Sequence, residues 1–324
     1  GIWRVLSGIS RAISVLVPLL FVAIFVIAFS TTLSESTPEP LPERAALLIA
    51  PSGPLVEDSP PVDALSAFLN QDYDQPALLN DVVRSIRWAA TDERITALVF
   101  DLENLVGPST SQTLEISSAI EVFRESGKPV IAAGDFYSQA HYLLASQADQ
   151  ILLHPEGGMF LEGFSVYRSY LRSFLEKTRV TMHVFRAGDN KSAVEPYLRD
   201  DMSDGEREVV SRWLEGLWGA YTEMVESGRE LPAGTMDQFI ASLPAQLAAS
   251  DNDLAETMLA AGWVDVLADH AQMQEALAEW VGGADEVGYA VVASLDRYVE
   301  AVKMSRSLSE ENLPLIAIIP VEGT

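Results

Sequence analysis

Residues 95–102 have the sequence ITALVFDL, a continuous apolar run between polar neighbours. Such a run is typical of a β-strand that is covered on both faces. Helix-like segments flank it at residues 81–90 and 111–127, and Gly127 is placed to end the second of these. Strands that alternate with helices predict an α/β fold built on a mostly parallel sheet.

The alternation continues toward the middle of the chain. Residues 128–134 and 150–157 are predicted strands, and residues 137–149 between them are a predicted helix. A further apolar run, VTMHVFRAG at residues 180–188, is predicted as a strand that leads into Lys191. This lysine is one of only 21 basic residues in the chain, and it stands just after the end of a predicted strand.

After about residue 203 the sequence becomes helical. Ser203 is a predicted N-cap, with Glu206 at the capping-box position. Apolar residues then recur at helical spacing, and two more helices are predicted at residues 253–262 and 271–281. The row of aromatic residues in the first of these helices predicts helix packing, not a ligand cage.

Composition excludes several classes of function. The chain has 324 residues with 47 acidic and 21 basic side chains, a net charge of -26. Such a charge repels phosphate backbones, so nucleic acid is not an expected partner. The chain has no cysteine, and no two of its four histidines have metal-ligand spacing. We therefore expect no thiolate nucleophile, no metal site and no cofactor.

The N-terminal region predicts a membrane anchor. Ala12–Phe29 is a run of 18 residues without a charge, which as a helix is ~27 Å long and close to the hydrocarbon thickness of a bilayer. A secretory signal peptide is the competing interpretation, but its apolar region is shorter. Arg4 and Arg11 precede the run, so the positive-inside rule puts the N-terminus in the cytoplasm and the rest outside.

These patterns predict the organisation of the chain. We expect a cytoplasmic N-terminus, a transmembrane helix, a proline-rich linker, an α/β domain, a helical extension, and finally a linker with the first strand of a truncated second repeat. The respective ranges are residues 1–11, 12–30, 31–43, 44–202, 203–305 and 306–324. The last element is predicted because LIAIIPVEGT resembles ALLIAPSGPL near residue 46.

Several longer stretches carry a family resemblance. ITALVFDLENLVG, SGKPVIAAGDFYSQAHYLLASQADQILLHPEG and the block around GDNKSAVEPYLRDDMS resemble the N-terminal half of the long, duplicated signal peptide peptidases (protease IV type) of peptidase family S49. The resemblance implies a crotonase-like or Clp-protease-like ββα superhelix after one transmembrane helix. It also implies a bacterial inner-membrane, single-pass protein whose catalytic domain faces the periplasm and which forms a homo-oligomer, a tetramer in the family.

The resemblance implies a serine/lysine dyad that cleaves peptide bonds in signal peptides after their release. Lys191 matches the lysine general base of the family, whereas the serine lies in the second half, beyond Thr324. Aligned on Ala148 and Asp149, the position of the nucleophile corresponds here to about Gln139, with Ser138 one residue away. The chain alone is therefore expected to be inactive, and signal peptides and other apolar peptides are the expected substrates.

The proposed reaction requires that the lysine amine be neutral. An amine takes the serine proton only when it is neutral, and burial in apolar surroundings lowers a lysine pKa. The end of a buried strand is a suitable dry place, but Asp189, Asp200 and Asp201 stand close in the sequence and favour the charged amine. A surface lysine paired with Asp189 is the alternative that spacing alone favours.

A second requirement is an oxyanion hole of backbone N–H groups. Gly107 follows the strand at residues 95–102, where the implied fold places such a group, in this half as a relic, although a structural turn glycine is the favoured interpretation. Two rival functions stay open at this point: a non-catalytic scaffold or assembly domain of the same fold, and a crotonase-like acyl-CoA enzyme. The acidic composition and the anchor oppose the latter.

Overall fold

The computed structural model describes residues 40–58, 76–185 and 191–307. The predicted cytoplasmic N-terminus, the transmembrane helix and the truncated second repeat after residue 307 therefore lie outside the described residues. Within the described ranges no helix combines the length and apolar character needed to cross a membrane.

Nine strands occur in the described part of the chain. They are β1 Ala45–Ile49, β2 Gly53–Val56, β3 Ala77–Leu78, β4 Ile95–Phe100, β5 Leu105–Val106, β6 Val130–Ser138, β7 Gln150–Phe160, β8 Val266–Leu267 and β9 Val292–Ser294. Six of them form one sheet in the order β8-β7-β6-β4-β1-β9, and the other three form a small sheet in the order β3-β2-β5. All strand pairs in both sheets are parallel, which confirms the predicted α/β class.

Ten α-helices are described. They are α1 Leu79–Thr91, α2 Thr110–Arg124, α3 Gln139–Ala145, α4 Arg172–Thr178, α5 Glu195–Leu198, α6 Asp204–Gly228, α7 Thr235–Ala249, α8 Leu254–Ala260, α9 His270–Val281 and α10 Leu295–Ser307. A single 3₁₀ turn, Ser192–Val194, precedes α5. Ser203 caps α6 by accepting a hydrogen bond from the backbone N–H of Glu206, as predicted.

The two faces of the six-stranded sheet are covered by different helices. Alternate strand residues such as Leu47 and Leu98 pack with α1, α2 and α3, whereas Ala46 and Val99 pack with α9. The chain moves along the sheet from β1 to β8 and then returns through α9 to β9, beside β1. Because parallel crossover connections are right-handed, a return in the opposite direction places its helix on the opposite face.

The described fold extends across the predicted boundary between residues 202 and 203. Contacts between Cα atoms define one compact unit from Leu41 to Val302, because β8 and β9 from the predicted helical extension join the same sheet as β1 and β7. Arg229 at the end of α6 pairs with Asp265, whose carboxylate also accepts the backbone N–H of Ile151 in β7. The division into domains at residues 44–202 and 203–305 stays a prediction.

One predicted strand is wrong. Residues 180–185 form no strand, and the backbone N–H of Val180 instead donates to the carbonyl of Leu175 to close α4. Met182 and Phe185 are 41% and 97% exposed, so the apolar side chains of this run find no sheet to cover them. The remaining residues of the predicted strand, 186–188, lie outside the described residues.

Candidate active site

Lys191 lies on a segment that we call the arm, residues 164–202. No described residue of the arm is buried, in contrast to the strands that precede it. Lys191 is itself exposed and stands directly before the 3₁₀ turn Ser192–Val194. The expectation that it follows a buried strand is therefore not met within this chain, and its assignment as a general base stays a prediction.

The arm is folded back on itself by hydrogen bonds between residues more than 20 positions apart. The backbone N–H of Leu171 donates to the carbonyl of Pro196 at 2.6 Å, which brings α4 beside α5. Ser173 donates from both its backbone N–H and its hydroxyl to the carboxylate of Asp200, at 2.8 Å each. These contacts join the part of the arm before Lys191 to the part after it.

Two of the acidic residues near Lys191 are engaged by other groups. The hydrogen bonds from Ser173, the backbone one foremost, hold the pKa of Asp200 below its ordinary value. Asp201 forms an ion pair with Arg199 at 3.0 Å. Asp201 thus has a cationic partner, whereas the hydrogen bonds from the neutral Ser173 keep Asp200 ionised, so the objection that the sequence raised against a neutral amine remains for Asp200. Asp189 lies outside the described residues.

The end of the arm is attached at the start of α6. Glu195 accepts hydrogen bonds from the hydroxyl of Ser203 at 2.6 Å and from its backbone N–H at 3.2 Å. Arg168 forms an ion pair with Glu206 at 2.9 Å. The side chain of Glu206 is therefore engaged in the ion pair with Arg168. Glu195, and not Glu206, accepts the backbone N–H of Ser203, which is the hydrogen bond that a capping box would supply.

The start of the arm is attached at the N-terminus of α3. The Oε1 atom of Gln139, the first residue of α3, accepts hydrogen bonds from the backbone N–H groups of Gly163 at 2.7 Å and Glu162 at 3.2 Å. Its Nε2 atom donates to the carbonyl of Gly163 at 3.4 Å. Ser138 is the N-cap of α3 and accepts from the backbone N–H of His141. At the position that aligns with the family nucleophile, this chain thus has a structural amide, and its neighbour is a helix cap.

Gly107 lies close to the same helix. It follows β5 with a φ of +37°, a conformation that favours glycine, which supports its interpretation as a structural residue of the turn. The ring Nε2 of His141, in α3, is 2.8 Å from the carbonyl oxygen of Leu105 in β5. This contact brings β5, Gly107 and the N-terminus of α3 into one neighbourhood. A role of Gly107 in an oxyanion hole, functional or relic, stays a prediction.

The described residues include no group of histidine, aspartate or glutamate side chains arranged to hold a metal ion. A cavity of about 770 Å³ lies between α9 and the sheet, lined by apolar residues such as Val99 and by polar residues such as Asp101, and it involves neither Gln139 nor Gly107. At its rim His270 contacts Asp135 at 2.8 Å, and its ring lies against that of His154. The cavity is thus separate from the neighbourhood of α3 and from Lys191.

Comparison with known proteins identifies the class. The family model for peptidase family S49 matches residues 122–279, a range that includes α3, the arm and Lys191. The chain therefore belongs to peptidase family S49.

Comparison with individual proteins identifies two relatives, both called Protease 4. The chain is 36% identical over 286 residues to Protease 4 of Salmonella typhi, covering 86% of this chain and 46% of that protein. It is 33% identical over 327 residues to Protease 4 of Haemophilus influenzae, covering 99% of this chain and 53% of that protein. The chain thus spans about half the length of these relatives.

Among solved structures, the chain is similar to a mutant of the 1510-N membrane-bound stomatin-specific protease in complex with a substrate peptide. The two share 12% identity with a TM-score of 0.38, over 78% of this chain and 91% of that one.

Sequence reasoning missed the part that Gln139 plays. It placed this residue only by alignment, as a position where a serine is absent. A signal was present in the sequence, since a serine N-cap followed by glutamine presents a long amide at the first turn of a helix. Its partners, Glu162 and Gly163, are about two dozen residues away, and spacing alone could not reveal the contact.

Proposed function

We propose that this chain is the base-supplying half of a membrane-anchored serine/lysine endopeptidase that degrades cleaved signal peptides. Lys191 is the general base, and the serine nucleophile is supplied by a part of the protein beyond this sequence. The observation that carries the proposal is that Lys191 lies inside the S49 match, on an exposed arm. An exposed arm can be covered by a second domain that brings the serine.

The proposed chemistry needs the second domain for two reasons. A lysine accepts the proton of a serine hydroxyl only as a neutral amine, which requires that water be excluded from around it. Covering the arm would provide that exclusion and would place the hydroxyl beside the amine. The ion pair of Asp201 with Arg199 supports the proposal, because a carboxylate with its own cationic partner holds the lysine less strongly in its charged form.

The surface of the arm supports an assembly. Tyr167, Phe174 and Phe185 are 92%, 60% and 97% exposed, a concentration of aromatic surface that is typical of an interaction site. We propose that the second domain, and further copies of the protein in a tetramer, cover these side chains. The crotonase-like or Clp-protease-like superhelix, the transmembrane helix at residues 12–30 and the periplasmic side of a bacterial inner membrane belong to the same proposal.

The test compares lysine variants of the complete gene product. Lys191→Ala is expected to lower kcat for a fluorogenic apolar peptide by about 100-fold or more, the range for loss of a general base. Lys177→Ala, on the exposed face of α4 in the same arm, is the matched control and is expected to keep full activity. Labelling by a serine-reactive phosphonate should be lost in the first variant only. Undiminished cleavage or labelling in Lys191→Ala would refute the assignment.

A further inference from the structure

The arm leaves the six-stranded sheet after β7, at a turn that one side chain holds. β6 and β7 remain paired up to Ser138 and Phe160, and the chain after Phe160 runs out through Glu162 and Gly163 into the arm. The backbone N–H groups of these two residues are adjacent donors that converge on one acceptor, the Oε1 atom of Gln139. Since an amide oxygen has two lone pairs, one side chain satisfies both donors.

The geometry suits glutamine at this place. Gln139 is the first residue of α3, and β6 fixes the start of that helix because Ser138 belongs to the strand and also caps the helix. A side chain on this rigid junction has a defined position from which to reach the turn. Gly163 has a φ of +70°, so the turn itself adopts a conformation that an L-residue rarely takes and needs a partner to hold it.

Other described contacts attach the arm to α6 and to its N-cap Ser203, and the hydrogen bonds between Glu195 and Ser203 are among them. Phe164 contacts the ring of Tyr221 edge-on at 6.4 Å between ring centroids. The ion pair of Arg168 with Glu206 joins the arm to α6. The partners in these contacts lie on α6 or at its N-cap, whereas Gln139 attaches the turn before the arm to α3, beside the sheet. Gln139 therefore contributes to the orientation of the arm relative to the sheet.

We propose that Gln139 is a positioning residue, which sets the direction of the arm and hence the place of Lys191. The proposal rests on the function proposed above for Lys191. It assigns to the position that lacks a nucleophile a separate task, the alignment of the base with the hydroxyl that the rest of the protein supplies. Removal of the amide leaves two N–H donors without their acceptor, and the turn is free to move toward water to satisfy them.

The first experiment measures amide hydrogen exchange in the 324-residue chain and needs no activity. In Gln139→Leu, peptides that cover residues 161–175 are expected to exchange about 5-fold faster or more, the factor for loss of one net hydrogen bond. Gln139→Glu retains the accepting oxygens and is expected to exchange within about twofold of the parent chain. Gln238→Leu, an exposed glutamine in α7, is the matched control. Peptides from β4 should not change in any variant.

We call the hydrogen bonds from Glu162 and Gly163 to Gln139 the clamp. Parent-like amide exchange at residues 161–175 in Gln139→Leu would overturn it. Exchange that is equally fast in Gln139→Leu and Gln139→Glu would overturn it as well. If Gln139→Leu does not fold, Gln139→Asn replaces it, since the shorter amide stays polar and loses its reach to the turn. Faster exchange at residues 161–175 in that variant, with β4 unchanged, supports the clamp, and parent-like exchange overturns it.

The second experiment tests the consequence for Lys191 in the complete gene product. Gln139→Leu is expected to lower kcat about 10-fold or more with little change in KM, because a displaced base slows proton transfer and leaves peptide binding intact. Gln139→Glu should restore most of the rate. A mobile arm with unaltered kcat would overturn the positioning role. If Lys191→Ala keeps full activity, the proposed function fails, whereas the exchange data still decide the clamp.

Discussion

The hydroxyl of Tyr142 in α3 donates a hydrogen bond to the carbonyl of Trp263, 2.6 Å away and 121 residues later in the chain. Both residues are 0% exposed, and their rings meet edge-on with centroids 6.3 Å apart. Burial raises the pKa of Tyr142 above its usual range, so the hydroxyl keeps its proton at any physiological pH. This contact joins two segments that the sequence assigned to different domains, and it indicates that they fold together.

Removing that hydroxyl tests the connection. Tyr142→Phe is expected to lower the free energy of unfolding by ~1–2 kcal/mol, because the buried carbonyl of Trp263 loses its donor. The measurement is urea denaturation followed by both far-ultraviolet circular dichroism and tryptophan fluorescence, which should give one coincident transition. Tyr289→Phe removes a hydroxyl from a side chain that is 52% exposed and should have no effect. Equal stability of the two variants would show that the contact contributes nothing.

A partly buried and an exposed ion pair offer a matched comparison. Arg229, 10% exposed, donates two hydrogen bonds to Asp265, whereas Arg212 and Glu208 are 72% and 73% exposed on one face of α6. Arg229→Ala is expected to cost ~3 kcal/mol, since it leaves a partly buried carboxylate without its partner. Arg212→Ala should cost less than ~0.5 kcal/mol. Thermal and urea unfolding of both variants measure the difference, and similar losses would contradict it.

Two glycines differ in the space around them. An added Cβ at Gly157 in β7 would overlap the carbonyl oxygen of Asp135, whereas one at Gly216 in α6 meets nothing within 4 Å. Gly157→Ala is therefore expected to destabilise the protein by ~2 kcal/mol or more, through displacement of backbone at the β6–β7 pair. Gly216→Ala should stabilise it by ~0.5–1 kcal/mol, as alanine favours a helix interior. Melting temperatures that move in the same direction would refute this.

The hydrogen bonds of Asp92 predict how the stability of the folded protein depends on pH. Its carboxylate accepts hydrogen bonds from the side chain and backbone of Arg94 and from the hydroxyl of Tyr298, and the Arg94 side-chain bonds in particular hold the pKa of Asp92 below its ordinary 3.8. A carboxyl with a lowered folded-state pKa stabilises the protein above its unfolded-state pKa and loses that contribution as pH falls through the folded-state value.

Asp92→Asn should therefore cost ~1–2 kcal/mol at pH 7, and the difference should shrink as the pH falls below 3.8. Urea unfolding across that pH range measures it, with Glu115→Gln, on the exposed face of α2, as a control for net charge. A difference that is the same at pH 7 and pH 3 would contradict the prediction.

β4, β6 and β7 and the helices between them were predictable because their signals are local, whereas β3 and β5, of two residues each, were not predicted. Continuous apolar runs gave β4, β6 and β7, and the stop at Gly127 gave the end of α2. The strand predicted at residues 180–188 was wrong in its described part because an apolar run does not reveal whether a sheet edge is available for it. β8 and β9 have two and three residues, too few to show a period of their own, so only tertiary pairing reveals them.

For the site, the sequence predicted the lysine but not the support around it. Lys191 was singled out by the motif around it, and the S49 match includes it. Its exposure in this chain could not be foreseen, since exposure depends on the folding of a 39-residue arm and not on the flanking residues. The contacts of Ser173 with Asp200 and of Gln139 with Gly163 each join residues more than 20 positions apart, beyond the range of periodic patterns.

The late return of the chain to β9 has a consequence for synthesis on the ribosome. β1 pairs with β4 on one side, and on the other side it pairs with β9, which emerges more than 240 residues after it. While the nascent chain grows, this outer edge of β1 presents its N–H and C=O groups to solvent, a condition that favours unwanted pairing with other chains. We expect polypeptides that end before Val292 to depend on chaperones, and those that end after Ser294 to be freed from that need.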